Sequence, residues 1–215
     1  MFRSLSLLIG TASLVLATST LAFSMPATDQ KIPEFPSPKA VSTRPELSFT
    51  SGDLRIFRSE DGRWYWYFTY GIENNTGGDQ IWVPEMVLYT DQGEILTAGQ
   101  GVSSAVTDEI VEYIGDPLLE PQYAIIGDLK QGRGNAKNGL SIWPARQMEV
   151  NEIVLFVSGI SGETLLVEHP LTKDPVVLQK TLKRRYLIPG AATARGDRPV
   201  KLHPDSPQRQ VWIFR

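Results

Sequence analysis

Cysteine is absent from this 215-residue sequence, and histidine occurs only twice, at His169 and His203. The first absence excludes disulfides, thiolate catalysis and cysteine-based zinc sites. The second argues against a histidine-rich metal centre. Long apolar runs are also missing. The strongest candidate, residues 7–16, is short and leads into Thr18, Ser19 and Thr20, which is too weak a stretch to span a bilayer. Overall charge bias is small, with 21 Lys+Arg against 24 Asp+Glu and a net charge of −3. Composition therefore predicts an ordinary globular protein without nucleic-acid binding.

The amino terminus has the pattern of a secretory signal over residues 1–24. Arg3 precedes the apolar run, and small residues follow at Thr20-Leu21-Ala22 and Ala22-Phe23-Ser24, two candidate cleavage sites. The expected mature protein is extracytoplasmic, periplasmic or secreted, and does not span a membrane after cleavage. Residues 25–45 carry repeated prolines (Pro26, Pro33, Pro36, Pro38, Pro45), which cannot donate ladder hydrogen bonds and predict an extended linker. A β domain is expected over 46–188, followed by a basic tail over 189–215 with an apolar end, Val211-Trp212-Ile213-Phe214. Charge is divided unevenly: residues 25–179 hold 11 Lys+Arg against 22 Asp+Glu, and residues 180–215 hold 9 against 2. An acidic body of −11 beside a basic stretch of +7 predicts that the tail lies over the body or meets an anionic partner.

What the chain has in abundance is aromatics in one place. Six of the seven residues from Trp64 to Tyr70 are aromatic, and the seventh is Thr69. Such residues suit a pleated, half-buried surface. Alternation puts Trp64, Trp66, Phe68 and Tyr70 on one face, as core anchors, and Tyr65, Tyr67 and Thr69 on the other, where their hydroxyls tolerate water. Asp61-Gly62 is a hairpin turn signal that joins this strand to Leu54–Arg58. Phe57 breaks the alternation there and predicts a bulge or burial on both faces. Ile81 to Thr90 reads as the next strand, with Pro84 at an edge or bulge, and Asp91-Gln92-Gly93 turns the chain into Glu94–Thr97.

The period changes at Ser103–Gly115. Val102, Val106, Ile110, Tyr113 and Ile114 have helical spacing, with Gly115 as the stop, so one short amphipathic helix is expected to close an end or edge of the sheets. Residues 116–139 read as loop, with a short strand at Tyr123–Ile126. Strands follow at 140–143, 152–158, 164–167 and 176–187, the last with one basic face.

No motif supplies catalytic chemistry. Gly134 and Gly139 have the spacing of a phosphate loop, but Leu140 stands where the lysine is needed. Ser158-Gly159-Ile160-Ser161-Gly162 ends in Glu163 rather than the glycine of a nucleophile elbow. Carboxylates such as Glu85, Asp91, Glu94, Asp116, Glu120 and Asp128 match no calcium loop. Arg195-Gly196-Asp197 and Asn74-Asn75-Thr76 are short tripeptides that arise by chance. No catalytic residue, cofactor or metal ligand is assigned. The candidate ligand face consists of Tyr65, Tyr67, Trp82 and Tyr89, an aromatic platform suited to sugar rings or apolar partners. The competing expectation is that the helix and Trp212/Phe214 cover it.

The run Tyr65-x-Tyr67-x-Thr69-x-x-Ile72-Glu-Asn-Asn-Thr-Gly77, with Val87-x-Tyr89-Thr-Asp-x-Gly93 after it, resembles secreted bacterial immunoglobulin-like sandwiches, including uncharacterised planctomycete-type proteins. The resemblance spans about residues 54 to 98. It implies a mainly β, antiparallel immunoglobulin-like β-sandwich with an extracytoplasmic role, and supplies no catalytic residues. The expected function is non-enzymatic binding of a protein or envelope component. The alternatives are a carbohydrate-binding module and, more weakly, a carboxylate-dependent hydrolase.

Overall fold

A computed structural model describes residues 44–205 and 211–215. The expected signal peptide and residues 25–43 of the expected linker lie outside the described residues. Strand makes up 49% and helix 13%, so the protein is mainly β. No described helix is long and apolar enough to cross a membrane.

The aromatic run forms strand β2 (Trp64–Glu73), which follows β1 (Ser48–Arg58) across the Asp61-Gly62 turn. The two pair antiparallel from Ser48↔Glu73 to Arg58↔Trp64, with a bulge between Ser51 and Leu54. The other edge of β2 pairs with β8 (Lys137–Pro144), which in turn takes β6 (Leu119–Pro121) in parallel. A second sheet is built on β9 (Glu152–Ser158). It lies between β4 (Glu85–Thr90), flanked by β5 (Ile95–Thr97), and β11 (Pro175–Leu187). Three further strands pair with β11: β10 (Thr164–Glu168), β12 (Lys201–Leu202) and β13 (Val211–Phe214). A small third sheet joins β3 (Gln80–Trp82) to β7 (Gly127–Leu129).

One core unites the two larger sheets. Trp66, Phe68, Tyr70 and Ile72 of β2 share it with Met86, Leu88, Leu155, Val157, Leu182 and Tyr186 of the second sheet. Each such side chain contributes about 1.5–3 kcal/mol by leaving water. Ile188, Ala192 and Val200, beyond β11, lie in the same core. Gly139, opposite Tyr70 on β8, leaves room for that ring: a Cβ there would stand 2.2 Å from Tyr70 Cζ.

Helix α1 (Ser104–Ile114) starts where the Ser103 hydroxyl accepts from the Val106 N–H. It stops at Gly115, whose left-handed φ of 67° is cheap only for glycine. The expectation that it closes an end of the sheets is corrected. Val106 and Ile110 pack on Tyr65, Tyr67, Leu140 and Ile142, so α1 covers the outer face of the first sheet. Phe57 is directed there too, its ring 5.0 Å from that of Tyr113.

Three further expectations are corrected. Residues 81–90 form two strands in different sheets, because the chain breaks at Val83-Pro84 and Pro84 has no N–H for a ladder. Tyr123–Ile126 is not a strand: a single helical turn, α2 (Gln122–Ile125), buries Ile125 while Tyr123 stays exposed. A strand would set both on one face. The glycine-rich stretch 132–139 is not a loop throughout, since Arg133–Asn135 form a 3₁₀ turn and Lys137 opens β8.

On β11 the expected basic face is interrupted by Lys180, which is fully buried. Its ammonium lies 2.7 Å from Glu46 Oε2, 3.3 Å from Glu163 Oε2 and 4.8 Å from the centre of the Trp212 ring. Such a charge is tolerated inside only when paired. The first half of β11 and β10 form an arm on which the cross-strand pair Leu166 and Val177 is exposed, as is Leu171 at its tip.

Candidate functional site

The four aromatics expected to share a ligand face do not meet on one. Tyr65 and Tyr67 are buried under α1, and Trp82 is fully enclosed in the main core. Tyr89 alone of the four is exposed, on β4 in the second sheet. The apolar stripe of α1 takes the Tyr65/Tyr67 face because burying it there removes both surfaces from water. The Tyr67 phenol is accordingly pushed up to about 12 by burial. Trp212 and Phe214 are placed elsewhere, on β13 beside β11.

The two histidines serve turns. His169 Nδ1 accepts from the Thr172 N–H at 3.1 Å, and His203 Nδ1 from the Asp205 N–H at 3.2 Å. The Ser158 hydroxyl lies 3.1 Å from that of Thr181 in a buried pair between strands. Carboxylates considered as an active-site pair are dispersed. Asp91 binds Asn151, Asp116 binds Asn138, and Glu120 pairs with Lys137. Among the described residues no three His, Asp or Glu side chains converge as a metal site requires.

What the structure does assemble is a cleft of about 620 Å³ at the start of β2. Trp64, Arg63 and Tyr65 come from the turn and first strand positions; Pro144, Arg146 and Met148 come from the end of β8 and the segment after it. The Ala145 N–H donates to the Trp64 carbonyl at 2.9 Å, which fixes the two walls together. Trp64 is only half-buried. Arg58, its cross-strand partner, holds its guanidinium 5.9 Å from the indole centre. Gly101, another lining residue, has a left-handed φ of 77° that favours glycine.

The turn beneath the cleft is tightly tied. Asp61 accepts from the Arg63 N–H at 2.8 Å and from the Tyr65 hydroxyl at 2.8 Å. These bonds, the backbone one foremost, hold its carboxyl below the ordinary range. The Tyr65 phenol is raised, first by burial and then by the Asp61 carboxylate. Glu109 of α1 accepts from the Ser59 hydroxyl and the Glu60 N–H. Among the described residues, Arg58, Arg63 and Arg146 form no salt bridge. Guanidinium groups so placed present planar, forked donors for a carboxylate, sulfate or phosphate, next to an aromatic face.

Sequence reasoning placed Trp64 in the core by alternation and left Arg146 in an unassigned connection. The available signal was local: Trp64 is the first residue of its strand, where core cover runs out, and arginines flank it at positions 58 and 63. Comparison of the chain with protein families, curated proteins and solved structures finds no match.

Proposed function

We propose that the protein is an extracytoplasmic, non-enzymatic β-sandwich of immunoglobulin-like type that binds an acidic saccharide of the cell envelope in the Trp64 cleft. The observation that carries this reading is the half-buried indole bordered by Arg58, Arg63 and Arg146. An aromatic face stacks on the apolar face of a sugar ring, and guanidinium groups pair with its carboxylate. These three arginines stand out in a body where acids outnumber bases two to one. The two largely antiparallel sheets on a common core support the sandwich, and the signal-like residues 1–24 support the location.

Calorimetric titration with oligogalacturonate and with a neutral galactose oligomer tests the reading. Binding of the acidic oligomer alone is expected, weakening as salt shortens the Debye length. Arg63→Gln with Arg146→Gln is expected to lower affinity at least about tenfold, the scale of one lost charge-assisted bond. Equal affinity for the neutral oligomer, or indifference to both substitutions, overturns it.

The exposed Leu166, Leu171 and Val177 of the β10–β11 arm favour a second reading, contact with a protein partner. Another copy of the chain is the partner tested first. Sedimentation should then show a dimer that Leu166→Lys with Val177→Lys abolishes; a monomer at every concentration rejects self-association.

A further inference from the structure

The chain enters the fold beside the β10–β11 arm. Glu46 forms an isolated antiparallel bridge with Ser161, just ahead of β10. The Leu47 N–H donates to the Ile160 carbonyl at 2.9 Å, and the Gly162 N–H to the Pro45 carbonyl at 3.3 Å. On the opposite side, the Lys180 N–H donates to the Glu163 carbonyl at 2.9 Å. Residues 160 and 162 thus turn their backbone groups toward the incoming chain, and residue 163 toward β11. Such groups alternate between the two edges of a strand. Carried through β10, the alternation directs the N–H and C=O groups of Thr164, Leu166 and Glu168 to its outer edge. Among the described residues no strand pairs with that edge. An open edge carrying the exposed Leu166 is a template for a further strand.

The register of the bridge reaches the residues that precede it. Counted back from Glu46↔Ser161, Thr43 comes opposite Thr164, Val41 opposite Leu166 and Lys39 opposite Glu168. These are the three outward-facing positions of β10. Threonine meets threonine there, an apolar residue meets an exposed apolar residue, and a lysine meets a glutamate, all favourable cross-strand pairs. Residues 39–44 contain no proline, while Pro38 and Pro45 stand at either end. Every N–H that the added ladder needs is therefore present. We propose that residues 39–43 add to the outer edge of β10 as an antiparallel strand, in the register set by Glu46↔Ser161. The added strand closes the edge of the arm and leaves its apolar face, with Leu166 and Val177, open to a partner. The inference does not depend on saccharide binding.

Hydrogen exchange on the ¹⁵N-labelled full chain is the first test. The Thr164, Leu166 and Glu168 amides are expected to be protected within about tenfold of Leu165 and Val167, which face β11. Val41→Pro removes the donor to Leu166 and should speed exchange at Thr164 and Leu166 while sparing Leu165 and Val167. A disulfide then reads the register, because the chain has no cysteine of its own. Ser42→Cys with Leu165→Cys sets two thiols directly opposite and should close a bridge within one chain under mild oxidation. Val41→Cys with Leu165→Cys, on opposite faces, should not. Exchange of the three outward amides as fast as in an unpaired peptide overturns the proposal, and this criterion needs no variant. Indifference to Val41→Pro overturns it too, as does equal bridging by both cysteine pairs or by neither. Bridging only between chains also overturns it, and assigns the edge to a second copy.

Discussion

Lys180 Nζ stands 2.7 Å from Glu46 Oε2, across a separation of 134 residues in the chain. The contact fastens the middle of β11 to the segment that leads into β1, and Glu163 and Trp212 complete the surroundings of the ammonium. Removing one member of a buried ion pair leaves its partners uncompensated, which costs about 3–5 kcal/mol. Lys180→Ala is therefore expected to lose about that much stability in urea denaturation. A variant within about 1 kcal/mol of the parent would show that the carboxylates relax into water without loss.

The fit of Tyr70 against Gly139 gives a second expectation. A methyl at position 139 would meet the Tyr70 ring and hydroxyl at 2.2–2.5 Å. Overpacking of this kind costs about 1–3 kcal/mol. Gly139→Ala should destabilise by that order, and Tyr70→Leu in the same chain should recover part of it. A double-mutant cycle measures the coupling; simple additivity of the two losses would disprove the steric account.

Burial raises the phenols of Tyr67 and Tyr70 to about 12, from an ordinary value of 10.0. Both groups stay protonated in the folded protein while their unfolded counterparts ionise. Their contribution is complete below pH 10 and is lost as pH rises toward 12. Stability should fall through that window, and the fall should be shallower in Tyr67→Phe. Absorbance at 295 nm provides the check: these two tyrosines should ionise only with unfolding.

Glu152 is governed by the opposite sign. Its carboxylate accepts from Arg185 at 2.8 and 3.0 Å, which holds its titration below the ordinary 4.5. The resulting stabilisation is present above 4.5 and disappears as pH drops through the lowered folded value. Urea midpoints measured from pH 6 down to pH 3 should converge for the parent and Glu152→Gln. Parallel curves would mean the pair contributes nothing, as exposed pairs often do.

Much of the fold was legible where chemistry is local. The β1–β2 hairpin follows from Asp61-Gly62 and the aromatic alternation, and α1 from Ser103, Gly115 and the spacing of its apolar residues. Positions settled by distant packing were not legible. Tyr65 and Tyr67 read as a wet face because nothing in their own strand announces that α1 lies over them. Residues 81–90 read as one strand because Pro84 signals a break without saying that each half joins a different sheet. The site was the least legible part: Trp64 and Arg146 are brought together by the ladder between β2 and β8, and no local pattern connects position 64 to position 146.

The position of β11 has a bearing on how the chain assembles. A polypeptide emerging amino terminus first presents Glu46 and β9 long before β13 exists. Until Val211–Phe214 arrives, one edge of β11 is unzipped and the Lys180 ammonium lacks its indole cover. Assembly of the second sheet is thus held open until the last strand docks, a long-range closure of the kind that slows folding. A nascent chain arrested after Leu187 should be digested readily by protease, whereas one released after Phe214 should resist. The delay leaves an unguarded strand edge on β11, the kind of edge that pairs with other chains until its own strand covers it.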